Sequence, residues 1–250
     1  MRVILIAAAV IPALFLLIQT YRSDRLEKEP LSMLLGLVLC GIIATELASL
    51  AERGGVWLLN QLFLDTGPGW SWNREWRALG ISVHPSLSLY YVLFYFVVVA
   101  VTEEGIKVLL LRLRTWRSPH FNCSFDGVVY AVFLSLGFAL WENIQYVLQF
   151  GFLTAMARAV TAVPGHACFG VFMGAWYGAA KRWQQRGRKN RSRLCRWMAF
   201  LVPVLLHGLY DYIAASPTVG TRGMFLGFVL LLFLSALYLV RRSARNDSYL

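Results

Sequence analysis

The sequence of residues 93–111 is LFYFVVVAVTEEGIKVLLL, an apolar run that contains two glutamates and a lysine near its centre. The segment from Val92 to Arg112 is long enough to cross a bilayer as a helix, for which about 20 apolar residues suffice. An ionisable group well inside such a helix is costly and by default indicates a functional site. The stretch therefore predicts a membrane-spanning helix with a polar site in it.

The spacing of these charged residues allows one carboxylate to be neutralised locally. Glu103 and Lys107 are four residues apart and share a helix face, while Glu104 points about 100° away and lies three residues before Lys107. One glutamate can thus form an ion pair with the lysine, and the other is left available for catalysis. The alternative is that the Glu–Lys ion pair has no catalytic role and only allows this helix to insert into the membrane.

Composition predicts an all-α, polytopic membrane helix bundle, with residues 1–250 forming a single integral membrane domain. The chain is 58% hydrophobic and 15% charged, with a mean hydropathy of +0.57. Such a composition leaves no soluble core to build. Four cysteines without CxxC spacing indicate free thiols rather than a disulfide framework or a zinc knuckle: Cys40, Cys123, Cys168 and Cys195.

Hydropathy predicts about seven spans. They cover residues 3–21, 31–51, 92–112, 127–150, 154–180, 197–215 and 224–240. We expect a catalytic core at about residues 86–216, with the spans 3–21, 31–51 and 224–240 peripheral to it. The tryptophan-rich connection 52–85 suits either the membrane interface or a lid over a substrate path.

The net charge of +11 is explained by topology. Three connections and the C-terminal tail, counted with their flanking residues, hold roughly 3, 3, 8 and 3 basic residues, against about 5 in the N-terminus and the other connections. The positive-inside rule then puts the N-terminus outside and the C-terminus in the cytosol. The basic surplus also suits anionic lipid heads, so the bilayer is an expected partner and nucleic acid is not.

Intramembrane polar residues are confined to the third to sixth predicted spans. At about 1.5 Å rise per residue, Glu103, Glu104, Glu142, His166, His207 and Asp211 all lie about 12 to 24 Å from the cytosolic helix ends. His207 and Asp211 form an i, i+4 pair on one face. Pro203 and the pair Pro164-Gly165 predict bent helices, which are tolerated in membranes where they line a polar cavity.

This set predicts hydrolysis. A carboxylate can activate water, and histidines can stabilise an oxyanion or hold a metal ion. His166, His207, Glu142 and Asp211 are candidate ligands for Zn²⁺, although no HExxH motif is present and a metal-free mechanism stays open. A lone histidine in a span is more often a packing residue, but two at one level with four carboxylates favour a site.

Four motifs resemble, in order, those of the PrsW family of intramembrane proteases, distant relatives of the CAAX prenyl proteases. They are TEEGIK at 102–107, FDGVVYA with GFALWEN within 125–143, GHACFG at 165–170, and HGLYD at 207–211. The resemblance covers roughly residues 102–211. It implies a multi-pass protein of the bacterial inner membrane that cleaves membrane-anchored substrates, such as an anti-sigma factor at an extracytoplasmic site.

The resemblance also assigns residues. It matches Glu103 and Glu104 to the family's paired catalytic glutamates, and His207 to the histidine of its last motif. With His166, these are the residues that we expect to be catalytic. We expect supporting roles for Lys107, Glu142, Asn143, Asp211 and Asp126. Glu142 stands where the CAAX branch usually has a histidine that helps to activate water. A zinc site that includes Glu142 and a metal-free glutamate mechanism both stay open. The expected substrate is a single-span membrane protein or a membrane-anchored peptide.

Two rival functions use the same residues. A proton- or cation-coupled transporter could relay protons through buried carboxylates and histidines, but the sequence has no inverted repeat or paired broken helices. A non-catalytic membrane scaffold of the same fold is the other alternative.

Overall fold

The computed structural model describes residues 2–65, 89–215 and 219–250, so the predicted interfacial or lid role of residues 66–85 lies outside the described residues. The described parts are almost entirely helical, which confirms the all-α prediction. The helices are α1 (Arg2–Ser23), α2 (Leu31–Asp65), α3 (89–115), α4 (Asp126–Phe150), α5 (Phe152–Val160), α6 (Ala162–Gln185), α7 (Lys189–Ala214) and α8 (Val219–Arg245).

Several of these helices are long and apolar enough to cross a membrane. Five segments of the described chain meet that criterion by length and composition, and α1 adds a shorter apolar helix at Ala9–Ser23. The five are Leu31–Leu62, Asp126–Phe150, Phe152–Gln185, Lys189–Ala214 and Arg222–Arg245. The chain is therefore a multi-pass membrane protein, and the count of seven crossings stays a prediction.

Two helices differ from their predicted bounds. The second was expected to end at residue 51 but continues to Asp65, past the charged pair Glu52 and Arg53. The predicted fifth span is broken at Thr161 into α5 and α6. Pro164 accounts for the break, because its ring would collide with the carbonyl four residues earlier, at Val160, where α5 ends.

Helix α4 is the central element of the bundle. Its first fourteen residues are buried, and it packs between α2 on one side and α6 on the other. A Cβ added at Gly174 of α6 would lie 2.4 Å from the carbonyl oxygen of Gly127, and one added at Gly41 of α2 would lie 2.1 Å from that of Leu134. Small residues thus allow both neighbours to approach α4 at backbone distance, as is common in membrane bundles.

The strongly basic connections meet at one end of this bundle. The amide of Ser124 donates to Ser248 O at 3.2 Å, and the amide of Leu250 donates to Asn122 O at 2.8 Å. The Lys181 ammonium, at the far end of α6, donates to Trp116 O at 2.8 Å. The ends of α3, α6 and α8 and the start of α4 therefore lie at the same end.

Candidate active site

The site begins with an irregular helix. Residues Phe94–Ala100 of α3 are π-helical, and the ordinary α-helical part, Val101–Thr115, carries Glu103 and Glu104 in its first turn. Single π-helical turns inside helices frequently occur at functional sites, because they rotate the following residues about the axis. Both glutamates and Lys107 are buried.

Lys107 lies at the centre of the polar cluster. Its Nζ lies 3.1 Å from Glu103 Oε2 and 2.8 Å from Glu104 Oε1. The same atom lies 3.3 Å from His166 Nδ1 and 3.7 Å from the centroid of the Phe138 ring. The prediction that the lysine would neutralise one glutamate and leave the other free is wrong, since its ammonium contacts both.

His207, on α7, is held between two carboxylates. Its Nδ1 lies 2.9 Å from Glu104 Oε1, and its Nε2 lies 3.3 Å from Asp211 Oδ2. The ring stacks on Phe169, with centroids 4.8 Å apart. Both ring nitrogens can donate to these oxygens when the imidazole is protonated.

His166, on α6, has a matching environment. Its Nδ1 faces Lys107, and its Nε2 lies 3.0 Å from Glu142 Oε2 on α4. The same Glu142 oxygen accepts a bond of 2.7 Å from Arg158 of α5, whose Nε also donates to Asn143 Oδ1 at 3.1 Å. Asn143 in turn donates to Ala9 O at 3.0 Å, which ties α1 to the site.

The two histidines therefore share one pattern. Each presents Nδ1 to the cluster around the α3 glutamates and Nε2 to a carboxylate behind it, Glu142 or Asp211. The ring centroids are 5.1 Å apart. A carboxylate on the far nitrogen fixes the orientation of an imidazole and raises its basicity, as it does for most metal-binding histidines.

A cavity of about 340 Å³ opens onto this cluster. Glu103, His166 and His207 line it, together with Glu52, Arg158 and Asp211, whereas Glu104 does not. The Glu103 side chain is 8% exposed and that of Glu104 is 0% exposed. A water molecule in the cavity can therefore reach Glu103, while Glu104 is enclosed by Lys107 and His207.

The structure brings together all the predicted site residues except one. Asp126 lies at the N-terminal end of α4, sixteen residues before Glu142 and thus about 24 Å along the helix. Its Oδ2 accepts bonds from the amides of Asn122 at 3.0 Å and Cys123 at 2.6 Å.

Two cavity residues were missed by the sequence reasoning. Arg158 lies inside the predicted fifth span, where a charge in an apolar segment was the signal that could have found it. Glu52 was taken as the start of a loop, yet it lines the cavity from α2, and its Oε1 is buried with no hydrogen-bond partner among the described residues.

The donor atoms can be tested against a metal ion. One atom each from Glu103, Glu104, His166 and His207 lies within 4.8 Å of the others, and two nitrogens with two carboxylate oxygens form a set that Zn²⁺ accepts. Glu104 Oε2 is buried without a partner in the described chain. Glu142 and Asp211, predicted as ligands, instead contact the opposite nitrogens of the two histidines. The donor set thus fits a zinc ion, which would have to displace the Lys107 ammonium from its contacts with Glu103, Glu104 and His166.

A membrane helix bundle with paired glutamates and carboxylate-backed histidines on a buried cavity defines a class, the intramembrane hydrolases. Residues 29–239 match the family described as PrsW family intramembrane metalloprotease. This chain belongs to that family, which confirms the resemblance found in the motifs, and it is a membrane peptidase.

Curated relatives agree over most of the chain. Protease PrsW of Geobacillus kaustophilus is 32% identical over 240 residues, covering 96% of this chain and 92% of the relative. Protease PrsW of Halalkalibacterium halodurans is 31% identical over 97% and 98% of the two chains, and that of Clostridioides difficile is 32% identical over 85% and 80%. No solved structure matches the chain.

Proposed function

We propose that this protease cleaves a peptide bond of a single-span membrane protein or a membrane-anchored peptide, using water activated by Glu103. The observation that carries the proposal is the difference between the two glutamates. Glu103 lines the cavity, whereas Glu104 is fully enclosed. A general base must reach the water from which it takes a proton, and of the two carboxylates Glu103 meets that requirement.

The other residues of the cluster prepare the site. Glu104 holds Lys107 at 2.8 Å and His207 at 2.9 Å, and so fixes both relative to Glu103. His166 and His207 line the cavity and can stabilise the oxyanion that forms when water attacks the carbonyl. Glu142 and Asp211 orient the two rings, and Arg158 holds Glu142.

In one version of this proposal, Glu104, His166 and His207 would hold a zinc ion, and Glu103 beside them would stay free to act as the base. When bound, it would polarise the scissile carbonyl and lower the pKa of water. Counting Glu52, five carboxylates face two permanent cations here, Lys107 and Arg158, so a divalent cation would offset most of the remaining charge. In the metal-free version, a protonated His207 supplies part of that charge.

We further propose seven crossings of a bacterial inner membrane, with the C-terminus in the cytosol. The basic connections and the C-terminal tail meet at one end of the bundle, as seven alternating crossings require. The cavity residues Glu142 and Asp211 lie near the opposite helix ends, which suits cleavage close to the outer face. An anti-sigma factor cut at its extracytoplasmic side is a substrate of the expected kind.

The test is cleavage of tagged single-span proteins in proteoliposomes. Glu103→Gln should abolish product, and His207→Ala should lower it by at least about 100-fold, the scale on which a transition-state group acts. Glu46→Gln is the matched control, because Glu46 is exposed on α2 and bonds Trp141 and Gln145. Full activity of Glu103→Gln would refute the assignment, and Glu103-dependent proton uptake without product would favour a transporter.

Chelation separates the two versions of the chemistry. If zinc takes part, a chelator should abolish cleavage, and added Zn²⁺ should restore it. Cleavage that persists in metal-free protein, with Glu103→Gln still inactive, would establish the metal-free version. Protein-bound zinc should be measured in the same samples, so that loss of activity can be compared with loss of the ion.

A further inference from the structure

A second cluster of acidic residues lies at the basic end of the bundle, far from the cavity. Its members come from the α1–α2 connection, the start of α4 and the C-terminal tail: Asp24, Glu27, Glu29, Asp126 and Asp247. We call it the tail cluster. Hydrogen bonds join its segments, because Asn122 Nδ2 donates to Glu27 Oε2 at 3.1 Å and Ser124 Oγ donates to Asp247 Oδ1 at 3.0 Å.

Asp24 is the residue that calls for an explanation. It is 0% exposed, and neither carboxylate oxygen has a hydrogen bond within the described chain. The backbone amide of Glu29 lies near enough to favour its charge, but it does not reach hydrogen-bond geometry. A buried carboxylate without a partner is destabilising unless it takes up a proton or binds another cation.

In three neighbouring side chains, one polar atom is hydrogen-bonded and the other has no partner among the described residues. Asp126 Oδ2 accepts two amides, and Asp247 Oδ1 accepts the amides of Phe125 at 2.8 Å and Ser248 at 2.9 Å. Asp126 Oδ1 and Asp247 Oδ2 have no partner in the part of the chain that the structure describes. Asn122 donates through Nδ2, and its Oδ1 is free as well. With the two oxygens of Asp24, five buried oxygens in this cluster have no hydrogen-bond partner among the described residues.

The charges of the cluster are poorly compensated. The backbone amide of Cys123 favours the charge of Asp126, but the charged side chains that act on it, Glu29, Asp24 and Asp247, are all acidic. Lys28 is the cation that acts on Asp24. A positive ion is thus what this cluster lacks.

We propose that the tail cluster binds a hard divalent cation, Ca²⁺ or Mg²⁺, through Asp24, Asp126, Asp247 and Asn122. The free atoms are all oxygens, which these ions prefer and which Zn²⁺ does not require. The carboxylates of the tail cluster lie farther apart than the donor atoms of the catalytic cluster. In the described chain, the catalytic cluster is the one group of three or more possible ligands within 4.8 Å of one another. Binding of an ion must therefore draw the carboxylates of the tail cluster together.

The ion would act as a clamp between three segments. Asp24 follows α1, Asp126 begins α4, and Asp247 lies in the tail after α8. By binding oxygens from all three segments, the ion would hold the C-terminal tail against the start of α4. The same helix carries Glu142 near its other end. This inference does not depend on the proposed catalytic roles.

Terbium luminescence tests the proposal on the full-length protein in detergent micelles. Tb³⁺ replaces Ca²⁺ at oxygen sites, and Tyr130, which donates to Glu29 Oε2 at 2.6 Å, is placed to sensitise it. We expect saturable emission that Ca²⁺ or Mg²⁺ displaces, with the order of displacement identifying the preferred ion. Asp24→Asn and Asp247→Asn should each weaken binding at least about tenfold, whereas Glu46→Gln should not.

Two further measurements keep the outcome decisive. His207→Ala should leave the terbium signal unchanged, which separates this site from the catalytic cluster. The preferred ion should raise the melting temperature of the parent protein by about 3 °C or more at saturation, and that of Asp24→Asn by less than about 1 °C. Equal terbium binding by parent, Asp24→Asn and Asp247→Asn, or a signal lost in His207→Ala alone, would overturn the proposal.

Discussion

Replacing Lys107 with methionine tests how the site tolerates two adjacent glutamates inside a membrane bundle. The lysine side chain is 0% exposed, and its ammonium contacts Glu103, Glu104 and His166 within 3.3 Å. Methionine fills a similar volume but leaves both carboxylates without their cation. Removing one partner of a buried ion pair costs about 3–5 kcal/mol, so Lys107→Met should lower the free energy of unfolding by that amount.

The assay is denaturant titration of purified protein in micelles, with Lys181→Met as the matched control. Lys181 is also largely buried, but its ammonium donates to Trp116 O and has no carboxylate partner among the described residues. Its replacement should cost about 1.5–2 kcal/mol, near the lower end for a hydrogen bond from a charged donor. In Glu104→Gln/Lys107→Met, the cost should be smaller than the sum of the single changes by about 1–3 kcal/mol.

Equal losses for Lys107→Met and Lys181→Met would refute the reasoning. So would strict additivity in the double variant, because it would mean that Lys107 does not offset the charge of Glu104.

Three other predictions follow from single contacts. Arg158→Gln removes the cation that holds Glu142, so cleavage should fall about 10- to 100-fold, with partial rescue in Arg158→Lys; an unchanged rate would contradict this role. Gly174→Leu should cost about 3 kcal/mol or more, because its Cβ would lie 2.4 Å from α4 backbone atoms, whereas Gly223→Leu, with no atom within 4 Å, should cost less than about 0.5 kcal/mol. Burial raises the pKa of Glu29 from 4.5 to about 7, so the stability that its bound proton supplies is present below pH 4.5 and lost as the pH rises through 7. With a chelator present, the free energy of unfolding should fall by about 2 kcal/mol less in Glu29→Gln than in the parent protein as the pH rises from 4.5 to above 7. An equal fall in the two proteins would exclude Glu29 as its cause.

The motifs were sufficient to find most of the candidate site, for a physical reason. Charged residues are so costly in an apolar span that Glu103, Lys107 and Asp211 stand out from their surroundings. A regular helical rise then placed residues from four helices at one depth, and the structure brings those side chains into contact.

The details that sequence could not provide depend on rotation about helix axes. The depth of a residue along its helix does not determine which nitrogen of His166 faces Glu142. It also does not predict that the Lys107 ammonium contacts both glutamates of α3. The π-helical residues before Glu103 change that rotation without a distinctive sequence signal. Arg158 lines the cavity from α5, the short helix that ends before the break at Thr161. Glu52 lines it because α2 continues beyond its predicted end. The break and the extra length of α2 are features of tertiary packing.

The central claim is that Glu103 directs water onto a peptide bond, and isotope incorporation tests it most directly. A single-span substrate should be cleaved by the reconstituted protein in H₂¹⁸O, and the new C-terminus should be examined by mass spectrometry. We predict one ¹⁸O atom in the newly formed carboxyl group, and no such product with Glu103→Gln. A product without ¹⁸O, or the same labelled product at the same rate from Glu103→Gln, would contradict the account.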